Sequence, residues 1–298
     1  MLKWILIVGL ALVAILSFVL LQGPLSPGPA SGPSEPPAEQ SEDREGTQPS
    51  QPSDEQDDPP DDQQAEQAPS QQARDVMAQA RQAQGGLEAL QGLNGYQVQA
   101  SSTATQQGQT FSLQTQTWVK LPNQFRQDTQ VNIQGQTINS LTVWDGQTGW
   151  VRQQGQVQQL QANQAGSVQQ NLFLDPLHIL VYTTREDFQY AYQGTETVNG
   201  TEAHAIRVTL PQGQAATFYF DAERFLPIQR TRSAQGRTVR TVFSNYQQVD
   251  AYAFPFQRQT YLDGNLVSEQ TVEDVQIKSS FDPQLFSKPQ TGSQQSGQ

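Results

Sequence analysis

From Tyr96 onward apolar and polar side chains alternate, and only residues 161–181 interrupt the rhythm. Tyr96, Val98 and Ala100 keep the pattern, as do Phe111, Leu113, Thr115 and Thr117. Phe125, Val131 and Ile133 follow, then Leu141 and Val143. A period of two puts alternate side chains on opposite faces of an extended chain. Gln107-Gly108, Pro122-Asn123, Gln134-Gly135 and Asp145-Gly146 separate the runs. A chain so punctuated is constrained to an antiparallel meander with one apolar face and one face of Gln, Thr and Asn.

The alternation resumes at Phe188, Tyr190 and Tyr192, turns at Asn199-Gly200, and continues through His204, Ile206 and Val208. Phe218 and Phe220, Leu226-Pro227-Ile228, and the stretches 238–246, 255–262 and 266–278 complete the series, with Asp263-Gly264 as the clearest hairpin turn. The count is about 10–11 strands, enough for a sheet to curl on itself. Two segments have helical spacing. Val76, Ala80, Ala83, Leu87 and Leu90 predict a helix over 74–93, weakened at Gly85-Gly86. Within 161–181 one or two short helices are expected, the second with Asp175 as cap and Pro176 at its first position.

Ahead of the folded part lie two segments of different character. Trp4–Leu21 is 18 residues without a charge, reaching roughly 27 Å as a helix, just enough to cross a bilayer core. With Lys3 before it and many acids after it, the N-terminus is expected inside and the remainder outside. The run reads as an uncleaved signal anchor over 1–21. A cleaved signal peptide is the competing reading, although Leu20-Leu21-Gln22-Gly23-Pro24 offers no small-residue cut site. Residues 22–72 are rich in Pro, Ser, Gln, Asp and Glu and too poor in apolar groups to offset the entropy of ordering. They predict a disordered acidic linker, the folded domain occupies 73–289, and 290–298 forms a disordered tail.

Charge supports this division and excludes several functions. Residues 1–70 carry 12 acidic and 2 basic side chains, whereas 71–298 carry 17 and 15. Without a basic excess, nucleic acid is not an expected partner. Cysteine is absent, which removes disulfides, thiolate metal sites and thiol nucleophiles. Asp175 with His178, and Glu202 with His204, are the places where a carboxylate neighbours an imidazole, and neither has nucleophile or metal-ligand spacing. No catalytic residue, metal site or cofactor is assigned, and an enzyme is not expected. Arg224, Arg230, Arg232, Arg237 and Arg240 gather around one hairpin, either as a solvated strand face or as a contact for lipid head groups or an acidic partner.

Several phrases carry a resemblance. Val198-Asn199-Gly200-Thr201-Glu202-Ala203-His204-Ala205-Ile206-Arg207-Val208 leads to Phe218-Tyr219-Phe220-Asp221 and Leu226-Pro227-Ile228. Phe243-Ser244-Asn245-Tyr246, Phe254-Pro255-Phe256 and Phe281-Asp282-Pro283-Gln284-Leu285-Phe286 follow, and Gly85-Gly86-Leu87-Glu88-Ala89-Leu90 with Tyr96 opens the set. Together they resemble the LolA-like outer-membrane lipoprotein-sorting family of bacteria over roughly residues 75–289. His204 stands where that pattern expects an aromatic, and Ala251 where it expects glycine.

The resemblance implies a mainly β (α+β) fold, an incomplete antiparallel β-barrel closed by short helices, with an apolar cavity that accepts acyl chains. The candidate lining residues are the apolar members of each strand: Phe111, Leu113, Phe125, Val131, Leu141, Val143, Tyr190, Tyr192, Ile206, Val208, Phe218 and Phe220. Plain core packing is the alternative for each of them. The implied partner is a lipid or acylated lipoprotein. The implied role is a carrier; the run Trp4–Leu21, unlike a freely diffusing carrier of that family, adds an inner-membrane anchor with the domain in the periplasm, and if the signal is cleaved the protein is soluble there. A sensor module that regulates another envelope protein is the second reading.

Overall fold

The computed structural model describes residues 69–106, 108–133 and 136–291. The expected anchor at 1–21, nearly all of the linker and the final residues of the tail lie outside them. Among the described residues no helix is long and apolar enough to cross a membrane.

The chain enters through helix α1 (Gln71–Ala83), whose N-cap Ser70 accepts from the Ala73 amide. The Gly85-Gly86 pair breaks the single helix expected there, and α2 (Leu87–Gly92) starts afresh. Gly85 has φ +112°, and a Cβ on it would stand 2.1 Å from the Ala251 carbonyl oxygen. Only glycine fits at that close approach.

Six strands follow: β1 (Gly95–Gln106), β2 (Gln109–Lys120), β3 (Gln124–Ile133), β4 (Gln136–Trp144), β5 (Gly149–Gln153) and β6 (Gln156–Gln159). Helices α3 (Ala162–Phe173) and α4 (His178–Tyr182) lead to the second half. There lie β7 (Gln189–Val198), β8 (Thr201–Thr209), β9 (Ala215–Asp221), β10 (Pro227–Ala234), β11 (Arg237–Val249), β12 (Tyr252–Leu262) and β13 (Asn265–Ile277). A 3-10 turn, Pro283–Phe286, closes the described chain. The sheet thus has 13 strands, not the 10–11 expected. Short β5 and Gln-rich β6 account for the difference, since they carry too little apolar alternation to register as strands.

The strand order is β6-β5-β4-β3-β2-β1-β13-β12-β11-β10-β9-β8-β7, antiparallel throughout. Two meanders are therefore joined at their middle, where β1 pairs with β13, and β6 and β7 are left as the edges. The sheet is open: no pairing joins β6 to β7 among the described residues. The connection between those edges is the α3–α4 segment, which must traverse one face of the sheet to link them. Tight hairpins keep the strands in register. Asn199-Gly200 and Asp263-Gly264 both take positive φ at the two turn residues, the geometry that matches strand twist.

The main core forms where the helices meet β7–β9 and the adjoining ends of β1 and β12. Ala73, Val76, Met77 and Ala80 from α1 pack with Leu180 and Tyr182 of α4 and with Ile206, Val208, Phe218 and Phe220. Each of these large side chains stabilises the fold by roughly 1.5–3 kcal/mol on burial. Arg81 ties α1 to α4, donating from Nε to the Leu180 carbonyl at 2.9 Å. A second, smaller cluster of Ala104, Phe111, Leu113 and Val131 sits at the other end of β1–β3. The expected helix start at Asp175 falls two residues early. Asp175 instead accepts from the Leu177 amide at 3.0 Å, and α4 begins after it.

Candidate functional site

Between the helices and the sheet lies a cavity of about 340 Å³. Its walls follow from strand register. Pairing runs Val98↔Thr117, Ala100↔Thr115 and Ser102↔Leu113 across β1 and β2, then Thr117↔Gln127 and Thr115↔Thr129 to β3. Gln127 in turn faces Thr142 of β4. Thr115, Thr117, Gln127, Thr129 and Thr142 therefore project inward alongside Val98, Ala100, Leu113, Val119 and Phe125. This wall carries no charge. The inward face is thus not the continuous apolar surface expected; a belt of hydroxyls and amides separates the two apolar clusters.

The opposite wall concentrates charge. Register places Arg230 of β10 against Thr241 of β11, and Arg258 of β12 against Phe243. Both arginines line the cavity, with Asp175 and His178 from the α3–α4 segment. Arg258 Nη2 donates to Asp175 Oδ2 at 3.2 Å, with the two side chains 29% and 13% exposed. Arg230 donates to the Leu174 carbonyl and, at 3.3 Å, to the Thr241 hydroxyl. His178 is fully buried between Tyr96 and Tyr182, its Nδ1 2.9 Å from the Leu172 carbonyl. That partner makes Nδ1 the protonated nitrogen and leaves Nε2 as an acceptor.

Burial and the facing charges tune these groups. Burial lowers the Arg230 pKa to about 9, helped by neighbouring Arg232, so the guanidinium stays charged at neutral pH. Burial also lowers the His178 pKa against the opposing pull of Asp175, which keeps the ring neutral. Burial pushes Asp175 up, but Arg258, His178 and the Leu177 amide outweigh it and hold the carboxylate below its ordinary range. Three polar atoms of this wall are buried without a hydrogen-bond partner in the protein: Arg230 Nε, Arg258 Nε and His178 Nε2.

Of the twelve apolar candidates, Leu113 and Phe125 line this cavity. Ile206, Val208, Phe218 and Phe220 lie in the main core, with Tyr190 and Tyr192 packed against it. Phe111 and Val131 belong to the smaller cluster. Leu141 and Val143 project from the opposite face, because Asp128 pairs with Leu141 and Arg126 with Val143 while Gln127 and Thr142 point inward. The strand β4 is buried on both faces from Ser140 to Trp144, so its more apolar side does not mark the cavity side.

The arginine hairpin also divides. Arg230 and Arg232 turn inward and are buried. Arg240 lies 3.8 Å over the Tyr261 ring, and Arg237 pairs with Asp263 at 2.7 Å. His204 stacks on Phe225 at 5.7 Å. Among the described residues no group of three or more His, Asp or Glu side chains is placed to hold a metal ion.

No family model and no curated protein matches the sequence. Solved structures do match the fold. A LolA superfamily protein from Nitrosomonas europaea aligns with a TM-score of 0.52 at 13% identity, over 72% of this chain and 97% of that one. A DUF1329 family protein from Desulfovibrio piger aligns with a TM-score of 0.50 at 11% identity, over 72% and 97%. A putative outer membrane lipoprotein-sorting protein domain from Vibrio parahaemolyticus aligns at 0.49 and 11% identity, over 73% and 97%.

Proposed function

Starting from a LolA-like fold with an internal cavity, we propose that this protein binds and carries an acyl chain in the bacterial cell envelope, without chemistry of its own. The carrying observation is the cavity between the uncharged wall of β1–β4 and the α3–α4 segment. Its 340 Å³ falls near the lower end of ordinary small-ligand sites, about 300–1,000 Å³. A space of that size suits a single acyl chain better than a bundle of chains. Each methylene buried contributes about 0.8 kcal/mol, so retention requires no covalent step. Leu113, Phe125, Val98 and Val119 are the residues that contact the chain. In this reading Trp4–Leu21 holds the protein at the inner membrane, residues 22–72 act as its arm, and the domain works in the periplasm on lipid or on acylated lipoprotein.

The test is mass spectrometry of the lipids extracted from full-length protein, beside a Thr117→Phe variant that places a ring in the cavity. Wild type is expected to retain or take up a single-chain lipid in saturable fashion, and the variant to lose it with an unchanged circular dichroism spectrum. A wild-type protein that neither carries nor takes up lipid overturns the proposal. The sensor reading finds less support, because the inward turn of Arg230 and Arg232 leaves the hairpin without a continuous basic surface for an acidic partner.

A further inference from the structure

Every charged side chain lining the cavity sits on one wall. Arg230 and Arg258 outnumber Asp175, and neutral His178 adds no charge, so that wall is net positive by one. Its formal ion pair leaves the excess uncompensated. A guanidinium taken out of water carries a large penalty unless its donors are satisfied. Yet Arg230 Nε and Arg258 Nε have no partner in the protein, and Arg230 is nine-tenths buried. His178 Nε2, fully buried, offers an acceptor with nothing to accept from. Two guanidiniums against one carboxylate leave a positive centre on the wall of a cavity, and Arg258, 29% exposed, is the more accessible of the two. Across from them, the β1–β4 wall provides aliphatic and hydroxyl surface but no countercharge.

We propose that the cavity takes a single-chain amphiphile head inward, with an oxyanion head, carboxylate or phosphate, held by Arg230 and Arg258. The oxyanion is held by the positive charge of this wall, with Arg258, 29% exposed, the more accessible guanidinium, and planar guanidinium donors suit oxyanion geometry. The chain lies along Val98, Leu113, Val119 and Phe125. This inference rests on the acyl-chain reading above and adds the head-group class and its orientation.

The experiment measures binding of dodecanoate, dodecyl phosphate and dodecanol to the full-length protein by isothermal titration calorimetry at neutral pH. The three probes share a chain and differ in the head. The two anions are expected to bind roughly tenfold to a hundredfold more tightly than the alcohol, the range for charge-assisted hydrogen bonds. Arg258→Gln is expected to reduce that preference to less than about threefold, and Arg258→Lys to recover part of it. A stronger response to dodecyl phosphate than to dodecanoate assigns a phosphate head, and the reverse order a carboxylate.

Equal binding of all three probes overturns the head-inward inference and leaves the acyl-chain reading standing. No binding of any probe overturns both. An anion preference that survives Arg258→Gln and Arg230→Gln undiminished also overturns it, and the wild-type comparison holds even if a variant fails to fold.

Discussion

Replacing Asp175 by Asn removes a charge and little else. The amide keeps an oxygen for the Leu177 N–H, now met at 3.0 Å by Oδ1, and it preserves the side-chain volume. What it loses is the ion pair with Arg258 at 3.2 Å. A fully buried pair broken from one side costs about 3–5 kcal/mol, because the other charge is stranded. A pair on the open surface is worth about 0–1 kcal/mol. With Asp175 13% and Arg258 29% exposed, this one falls between, and we expect Asp175→Asn to cost about 2 kcal/mol. For a domain of this size that is a fall in melting temperature of roughly 4–8 °C. The assay is a double-mutant cycle by urea denaturation, with Arg258→Met as the second change. Because Asp175→Asn strands a cation that Arg258→Met removes, the double variant is expected to recover about 1–2 kcal/mol relative to the sum of the singles. pH supplies a second axis. The folded carboxylate titrates below its ordinary value, so its contribution is complete above about pH 4 and lost as pH falls through the folded pKa. The gap between wild type and Asp175→Asn must therefore close only in strong acid. An Asn variant as stable as wild type, or a coupling below about 0.5 kcal/mol, refutes the assignment of Asp175 as counter-ion of the cavity wall.

His178, held neutral by burial, binds its proton less readily folded than unfolded, so stability should be complete above about pH 6.5 and decline as pH falls toward the folded pKa. Chemical denaturation at stepped pH is expected to show that decline, and His178→Phe to flatten it. Leu141→Ala, on the face away from the cavity, is expected to cost about 2–5 kcal/mol in the same assay without altering binding of dodecanoate. If ligand binding weakens with it, the register of β4 is misread. Gly85→Ala, which drives a methyl group against the Ala251 carbonyl, is expected to lower stability by about 1–3 kcal/mol, whereas Gly200→Ala, whose Cβ meets open space, pays only for its positive φ.

Periodicity carried most of the architecture, because alternation and hairpin turns are local properties. Phe218 and Phe220, or Ile206 and Val208, announce a buried strand face whatever they pack against. The identity of that neighbour is not local. Four of those side chains fill the core under the helices, and the alternation could not distinguish a filled face from a hollow one. The hollow lies instead over Thr115, Thr117, Thr129 and Thr142; the first two keep phase with Phe111 and Leu113, but β-branched threonine suits a strand on either side and does not mark a cavity wall. Ser140–Trp144 failed for the complementary reason, since both of its faces are covered. Asp175, Arg230 and Arg258 meet only through the folding of a helical crossing against β10 and β12, and no sequence spacing announces them. Arg230 and Arg232 looked like a hairpin surface because arginine is so seldom placed inside.

The pairing of β1 with β13 sets an order on the chain's birth. Tyr96 waits for Ile277, roughly 180 residues behind it, before its second neighbour exists. As the polypeptide emerges N-terminus first, β1–β6 can zip into a meander early, but its inner edge remains a bare row of amides and carbonyls until synthesis is nearly done. Such an edge is a template for strangers, and long-range pairing of this kind is slow. Newly made molecules of this protein are thus most vulnerable in the interval when half the sheet is built and its seam is still open, and helpers that shield strand edges should matter to its yield more than helpers that shield grease.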